Sequence, residues 1–463
     1  MKNIIFALES HSSKYKQIYN QFKLLIENGD LPANEQLPSL RQLAESLQVS
    51  RNTTLMAYEQ LAAEGYIRGA ERKGYTVNEL EPSLFQEGYI SIPTNSSESQ
   101  TEPKTTFLID FKAGAVNQKN FPLKAWRRIS NSVLALQESF QYGDPFGEMC
   151  LREQIATYLF ESRGVKTDPN AIIIGSSTQQ MLVNLGHILK NDFGSMILED
   201  PGYDGAKAAF LFHSFSLETL PVDESGADFS HLENMVSRLI YVTPSHQSPM
   251  GVSMSIQQRQ KLIQWANNRE GYIIEDDYDS EFRYTQQPFP ALASIDSTKV
   301  IYLGNFSKSF LPGIRLSYMV LPQLLLSHYK KQFQHFESTT SLLSQLSMAK
   351  FMEEGEWIRH IKRMRLVYKR KMNCLVSELN KQFKNHISII GEQSGLYLLV
   401  QIHQKHSESW LIERAAAEGI KVYPTSIYFI DNYPEMPMIK LGFSNLTCDE
   451  IQRGVKILKE AWL

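Results

Sequence analysis

The 463 residues predict an α/β protein carried behind a small, mainly helical N-terminal unit. Three observations lead there. Short β-rich runs ("AIIIG", "SMILED", "RLIYVTP", "GYIIEDD" and "KVIYLGN") alternate with helical patterns from about residue 108 onward. That alternation argues for a mostly parallel sheet covered by helices. Residues 1–78 instead show helical apolar spacing and then a glycine-punctuated β pattern. Between the two, residues 79–107 lose periodicity, and "PTNSSESQTEPKTT" has the polar, proline-bearing composition of a linker.

The bulk numbers narrow the function classes. A chain of this length exceeds one ordinary core, so two or three domains are expected. With 42% hydrophobic and 21% charged residues and a formal net charge of -3, the composition is that of a globular protein without a general affinity for nucleic acid. Any DNA contact must come from a local basic cluster. Cys150, Cys374 and Cys448 are far apart and form no C-x-x-C pair, which argues for a reducing compartment and against a zinc site. "MKNIIFALES" is too short an apolar run for a signal peptide, and no run approaches a bilayer span. A cytoplasmic protein is expected.

In the first unit, Tyr15, Ile18, Tyr19, Phe22, Leu25 and Ile26 recur at helical spacing and define one apolar face. Ser39 and Gln42 form a capping-box pattern that opens a second helix through Leu43, Ala44 and Leu47. A turn at Gln48 and Val49 leads to Ser50, which can cap a third helix bearing Leu55, Tyr58 and Leu61. "GYIRGAERKGYTV" then reads as a hairpin around Gly69 and Gly74. Helix, helix, turn, helix, hairpin is the order of a winged helix-turn-helix. Ser50, Arg51, Thr53 and Thr54 occupy the first turn of the would-be recognition helix. Arg51 suits guanine, and the threonines suit phosphate or a thymine methyl. Arg41 would clamp a phosphate, and Arg68, Arg72 and Lys73 lie on the wing. A docking module with merely solvated charges is the alternative. The stretch "LPSLRQLAESLQVSRNTTLMAYEQLAAEGY", with "KG" at the wing, resembles the GntR-type winged helix, which implies binding to double-stranded operator DNA.

In the α/β part, "GNFSKSFLPGIRLSYMV" places Lys308 and Arg315 in an apolar segment rich in small hydroxyls. A lysine can form a Schiff base with an aldehyde, and an arginine can grip a phosphate with a planar fork. Pyridoxal 5'-phosphate needs both. Asp276, ending a strand, suits its protonated ring nitrogen, and Tyr278 its phenolic oxygen. Ser177 and Thr178, following Gly175 and opening a helix, suit the phosphate. Tyr203 suits the ring face. All fall at carboxyl ends of strands, where open α/β sheets bind ligands. Singly, each has a structural alternative as a cap, turn or core residue.

Together, residues 110 to 463 resemble a fold type I aminotransferase, with a large sheet domain and a small α/β subdomain within about 335–463. The resemblance implies that Lys308 forms the Schiff base and that Asn305 and Ser307 add phosphate contacts. It also implies that Tyr142 in "QYGDPFG" reaches the phosphate of a neighbouring subunit in a homodimer. The family's "NP-NPTG" appears here as "TPSHQSPMG". Ser248 stands where asparagine is usual, leaving His246 or Gln247 as substitutes.

Both halves together resemble the MocR family of bacterial regulators, on "PSHQ-P-G", "IIEDDYDSEF", "FSKS-LPG-R-SYMVLP" and "VSRN". Members that respond to γ-aminobutyrate have arginines where Gly205 and Asn445 stand here. Their absence favours pyridoxal phosphate itself as the signal, controlling vitamin B6 synthesis genes through capture at Lys308. Two alternatives stay open. One is a regulator sensing an amine or amino acid whose carboxylate meets another cation, such as Arg414 or Lys421. The other is an active aminotransferase with a DNA-binding tail.

Overall fold

The computed structural model describes residues 13–70, 74–80, 107–284 and 289–463, and the chain divides into two compact units, 1–105 and 106–463. In the first unit, helix Lys14–Glu27 buries Ile18, Phe22 and Ile26, one per turn on the face that the spacing predicts. Helix Leu40–Ser46 opens on the reciprocal Ser39–Gln42 capping box. Gln48 takes a positive φ of 54° to turn the chain into helix Arg51–Ala63. Strands Ile67–Ala70 and Gly74–Val77 pair antiparallel, Ile67 opposite Val77. These elements close over one core in which the Phe22 and Tyr58 rings meet edge to face.

The second unit is built on an eight-stranded sheet. The runs Val300–Asn305, Tyr272–Asp277, Leu239–Val242, Ser195–Asp200 and Ser216–Asp223 lie side by side and parallel. Strand Ser317–Val320 is inserted antiparallel between Val300–Asn305 and Ile172–Gly175. The sheet is therefore mostly parallel, as the alternation predicts. Helices cover both faces, which accounts for cores on either side of it and for strands such as Ile172–Gly175 and Leu239–Val242 that are buried along their whole length.

Helices Gln323–Phe333, Leu342–Glu353 and Glu356–Phe383 fill the expected long helical stretch. A four-stranded antiparallel sheet follows, in the order Ile387–Ile390, Tyr397–Ile402, Met438–Gly442 and Tyr423–Pro424. It is covered by helix Cys448–Trp462. Among the described residues no helix is long and apolar enough to cross a membrane.

Candidate functional site

A cavity of about 410 Å³ lies in the second unit, at the carboxyl ends of the parallel strands. It gathers Ser177, Thr178, Tyr203, Asp276, Tyr278, Asn305, Ser307, Lys308 and Arg315, a set that spans more than a hundred positions of sequence. Each is delivered by a strand end. Ser177 caps helix Thr178–Leu189 after strand Ile172–Gly175, its Oγ accepting from the Gln180 amide at 3.1 Å. Tyr203 follows Ser195–Asp200 and stacks on Tyr241 at 6.4 Å between centroids. Beyond Val300–Asn305, Asn305 Oδ1 accepts from the Ser307 amide at 3.1 Å and the Lys308 amide at 3.4 Å, shaping the turn that presents the lysine. Arg315 sits at a positive φ of 52°, a left-handed backbone uncommon outside glycine.

Strand period sorts the three consecutive acids of "IIEDD". Glu275 and Asp277 share one face. The former accepts from the Leu292 and Ala293 amides, and the latter pairs with Arg163 Nε at 2.7 Å. Asp276, between them, lines the cavity and accepts from Tyr241 Oη at 2.5 Å through Oδ2. Burial, with the nearby charges of Asp277 and Asp279, pushes its carboxyl up to about 7 against the Tyr241 bond. Burial likewise holds the Lys308 amine below its ordinary range, partly offset by Asp279 and Asp276.

Five residues singled out from the sequence do not line this chain's cavity. His246 does not line the cavity. It is buried behind Tyr278, with Nδ1 2.9 Å from Asp279 and 3.0 Å from Tyr278 Oη. Gln247 is also committed, donating to the Pro201 carbonyl at 2.8 Å and to Glu199 at 3.3 Å. Ser248, the residue at the family's asparagine position, is the one that reaches the cavity wall. Neither substitute proposed from sequence takes that place, because each is held by a buried carboxylate. Tyr142 lies outside this chain's cavity and is 86% exposed. Arg414 lies 5.8 Å over the Trp410 ring and Lys421 5.7 Å over Tyr423; neither lines the cavity.

Sequence reasoning missed several wall residues. Gly114 is one: a Cβ built on it would stand 2.1 Å from Lys308 Nζ. Tyr397, Tyr428 and Lys440 arrive from the small sheet and its loops. The Tyr428 loop is pinned to the large sheet by Asp200, which accepts from the Ile430, Asp431 and Asn432 amides. Only Lys440 left a trace in sequence, as a lone charge inside the apolar strand "MIKLGF".

Pyridoxal phosphate fits this set of groups. Asp276 Oδ1 is buried without a hydrogen-bond partner among the described residues, in the wall of a cavity that also holds a lysine amine and a guanidinium. A free carboxylate oxygen, an amine and a cation are what its ring nitrogen, aldehyde and phosphate require.

In the first unit, Arg51 is exposed at the start of its helix. Ser50 Oγ caps that helix, accepting from the Thr53 amide at 3.1 Å, and it lies 2.8 Å from Thr53 Oγ1. Thr54 corrects the expectation of a DNA contact. It is fully buried, and its hydroxyl donates to the carbonyls of Leu40 at 3.1 Å and Arg51 at 2.9 Å. It ties two helices together because its position faces the core. Arg41 is exposed and pairs with Glu45 at 3.0 Å, while Arg68 donates to Asn34 Oδ1 at 2.6 Å. Arg72 and Lys73 lie outside the described residues.

Residues 14–77 match the bacterial regulatory proteins of the gntR family, and residues 107–458 match aminotransferase class I and II. The HTH-type transcriptional regulator YdeL of Bacillus subtilis is 38% identical over 97% of this chain and 96% of its own length. The probable rhizopine catabolism regulatory protein MocR of Rhizobium meliloti is 30% identical over 97% of this chain and 94% of its own. The HTH-type pyridoxine biosynthesis transcriptional regulator PdxR of Corynebacterium glutamicum is 27% identical over 93% and 92%. Among solved structures, the multiple substrate aminotransferase of Thermococcus profundus superposes with a TM-score of 0.71, at 25% identity over 82% of this chain and 97% of that one. The helix-turn-helix unit implies DNA binding, and the aminotransferase fold implies a pyridoxal phosphate site. The chain belongs to the MocR family of HTH-type transcriptional regulators, in which a gntR-type unit is joined to an aminotransferase class I and II domain.

Proposed function

We propose that this regulator binds its operator according to whether Lys308 has captured pyridoxal phosphate, and that it controls genes of vitamin B6 synthesis. The observation carrying the reading is the unpartnered Asp276 oxygen in the same cavity as Lys308 and Arg315. The similarity to PdxR supports the choice of genes. When bound, the cofactor supplies an aldehyde and an electron-withdrawing ring.

The chain's own residues do the rest. Lys308, its charge disfavoured by burial, offers a nucleophilic amine. Asp276 would accept a hydrogen bond from the protonated ring nitrogen. Arg315, Ser307 and the start of helix Thr178–Leu189 with Ser177 hold the phosphate, with Tyr142 of a second copy completing it in a homodimer. Tyr278 meets the phenolic oxygen, and Tyr203 covers one ring face. Arg41, Arg51, Thr53 and Arg68, with Arg72 and Lys73 on the wing, engage paired half-sites.

The test uses duplexes selected from random DNA by the full chain. Operator affinity is measured with and without pyridoxal phosphate, for wild type and Lys308→Ala. Wild type alone should respond, by at least tenfold. Equal behaviour in all four cases would falsify sensing, and sustained multiple turnover with an amino acid and a keto acid would make the chain an enzyme.

A further inference from the structure

His246 lies behind the cavity wall, 2% exposed, in space that two glycines leave open. A Cβ on Gly395 would overlap its Cε1, and one on Gly251 would stand 3.2 Å from its Nε2. Its Nδ1 lies 2.9 Å from both Asp279 oxygens and 3.0 Å from Tyr278 Oη. Its Nε2 is buried without a hydrogen-bond partner among the described residues. A hydrogen on Nε2 would meet no acceptor there, whereas one on Nδ1 meets a carboxylate. The ring hydrogen therefore belongs on Nδ1.

That placement constrains the hydrogens of Tyr278. Facing an N–H, its oxygen accepts from His246 and cannot donate to it. Burial, with Asp279, Tyr397 and Asp276 nearby, holds the Tyr278 hydroxyl well above its ordinary range, so it keeps its own hydrogen. Two destinations remain for that hydrogen: Tyr397 Oη at 3.1 Å, and the cavity that both tyrosines line. Either oxygen of the tyrosine pair can be the donor. When Tyr397 donates, Tyr278 accepts twice and its hydrogen is left for the cavity.

We propose that His246 is a positioning residue: held by Asp279, it makes Tyr278 a hydrogen-bond donor into the cavity, toward the cofactor's phenolic oxygen. The proposal rests on the pyridoxal phosphate reading of that cavity. Without the Nδ1 hydrogen, Tyr278 is free to turn its own hydrogen back to the vacated side, where Asp279 has lost its partner.

The experiment follows the near-visible absorbance of the full-length, cofactor-loaded protein across pH. A donor on the phenolic oxygen competes with the Schiff-base proton for that oxygen, so losing the donor raises the pH at which the proton leaves. His246→Leu should raise that midpoint by about one pH unit. His246→Asn, whose amide nitrogen takes the place of Nδ1, should keep the wild-type midpoint. In a Tyr278→Phe chain, whose midpoint is already raised, His246→Leu should add nothing, an outcome that a merely structural role would not give. Asp279, Asp276, Lys112 and Lys440, the other charges acting on Lys308, are present in every variant and cancel in the comparison. If the leucine variant does not fold, His246→Phe takes its place. An unchanged midpoint on loss of the donor, an asparagine variant that shifts as leucine does, or a shift that persists in the Tyr278→Phe chain overturns the proposal. Loading is scored beforehand by borohydride trapping at Lys308. A wild type that never loads refutes the cofactor reading instead, so the two failures are told apart.

Discussion

Asp276 combines deep burial with a place in the wall of the cavity proposed to hold the cofactor. Its carboxyl is raised from an ordinary value near 4 to about 7, so the folded protein takes up a proton that the unfolded chain releases. The stability this contributes is complete below about pH 4 and is lost as pH rises through about 7. Melting temperature without cofactor should therefore fall over that window. Asp276→Asn, which still accepts from Tyr241, should flatten the fall while weakening cofactor binding at least tenfold. Gly114 has a positive φ of 81°, and a methyl there would occupy the position of the lysine amine. Gly114→Ala should cost about 1 kcal/mol of stability and displace Lys308, which a spectral titration would register as lost affinity. Lys440→Met should raise the melting temperature, because an uncompensated buried amine is exchanged for an apolar chain of similar volume.

The helix Arg51–Ala63 separates two roles within one turn. Arg51 is exposed, so Arg51→Ala should weaken operator binding and reduce its salt dependence by about one phosphate or base contact. Thr54→Val should leave operator affinity intact at low temperature and cost the unit about 1 kcal/mol, since its hydroxyl serves the Leu40 carbonyl. Thermal melts paired with gel shifts read both effects. From sequence the two residues were both candidates, because each lies in the first turn of a capped helix. The helix itself was legible from its cap and its apolar spacing. Which of its first residues faces inward depends on how helix Leu40–Ser46 packs against it, and that packing is a tertiary fact. Strand "YIIEDD" shows the opposite case, since its period alone separates Asp276 from its two acidic neighbours once the strand is granted.

At the scale of the molecule, the proposed homodimer makes Tyr142 a residue of its neighbour's site. Tyr142→Ala and Lys308→Ala chains should each bind cofactor poorly alone. Mixed, they should regain one good site per heterodimer, because one subunit then has its own lysine and its partner's tyrosine. A spectrum that shows no recovery on mixing would place Tyr142 outside the site.

Local signals in the chain were enough to predict the two-unit organisation, the mostly parallel sheet and nine residues of the cavity wall. Helical and strand periods, caps and strand-end motifs are local signals, and the cradle residues sit directly after strands. That Ser248 and not His246 reaches the cavity, that Thr54 is buried, and that Lys440 shares a chamber with Lys308 follows from packing between distant elements. Those outcomes depend on which buried carboxylate captures a neighbouring side chain and on how a second sheet closes over the first. Contacts between segments that are separate in sequence leave no period in the chain to read.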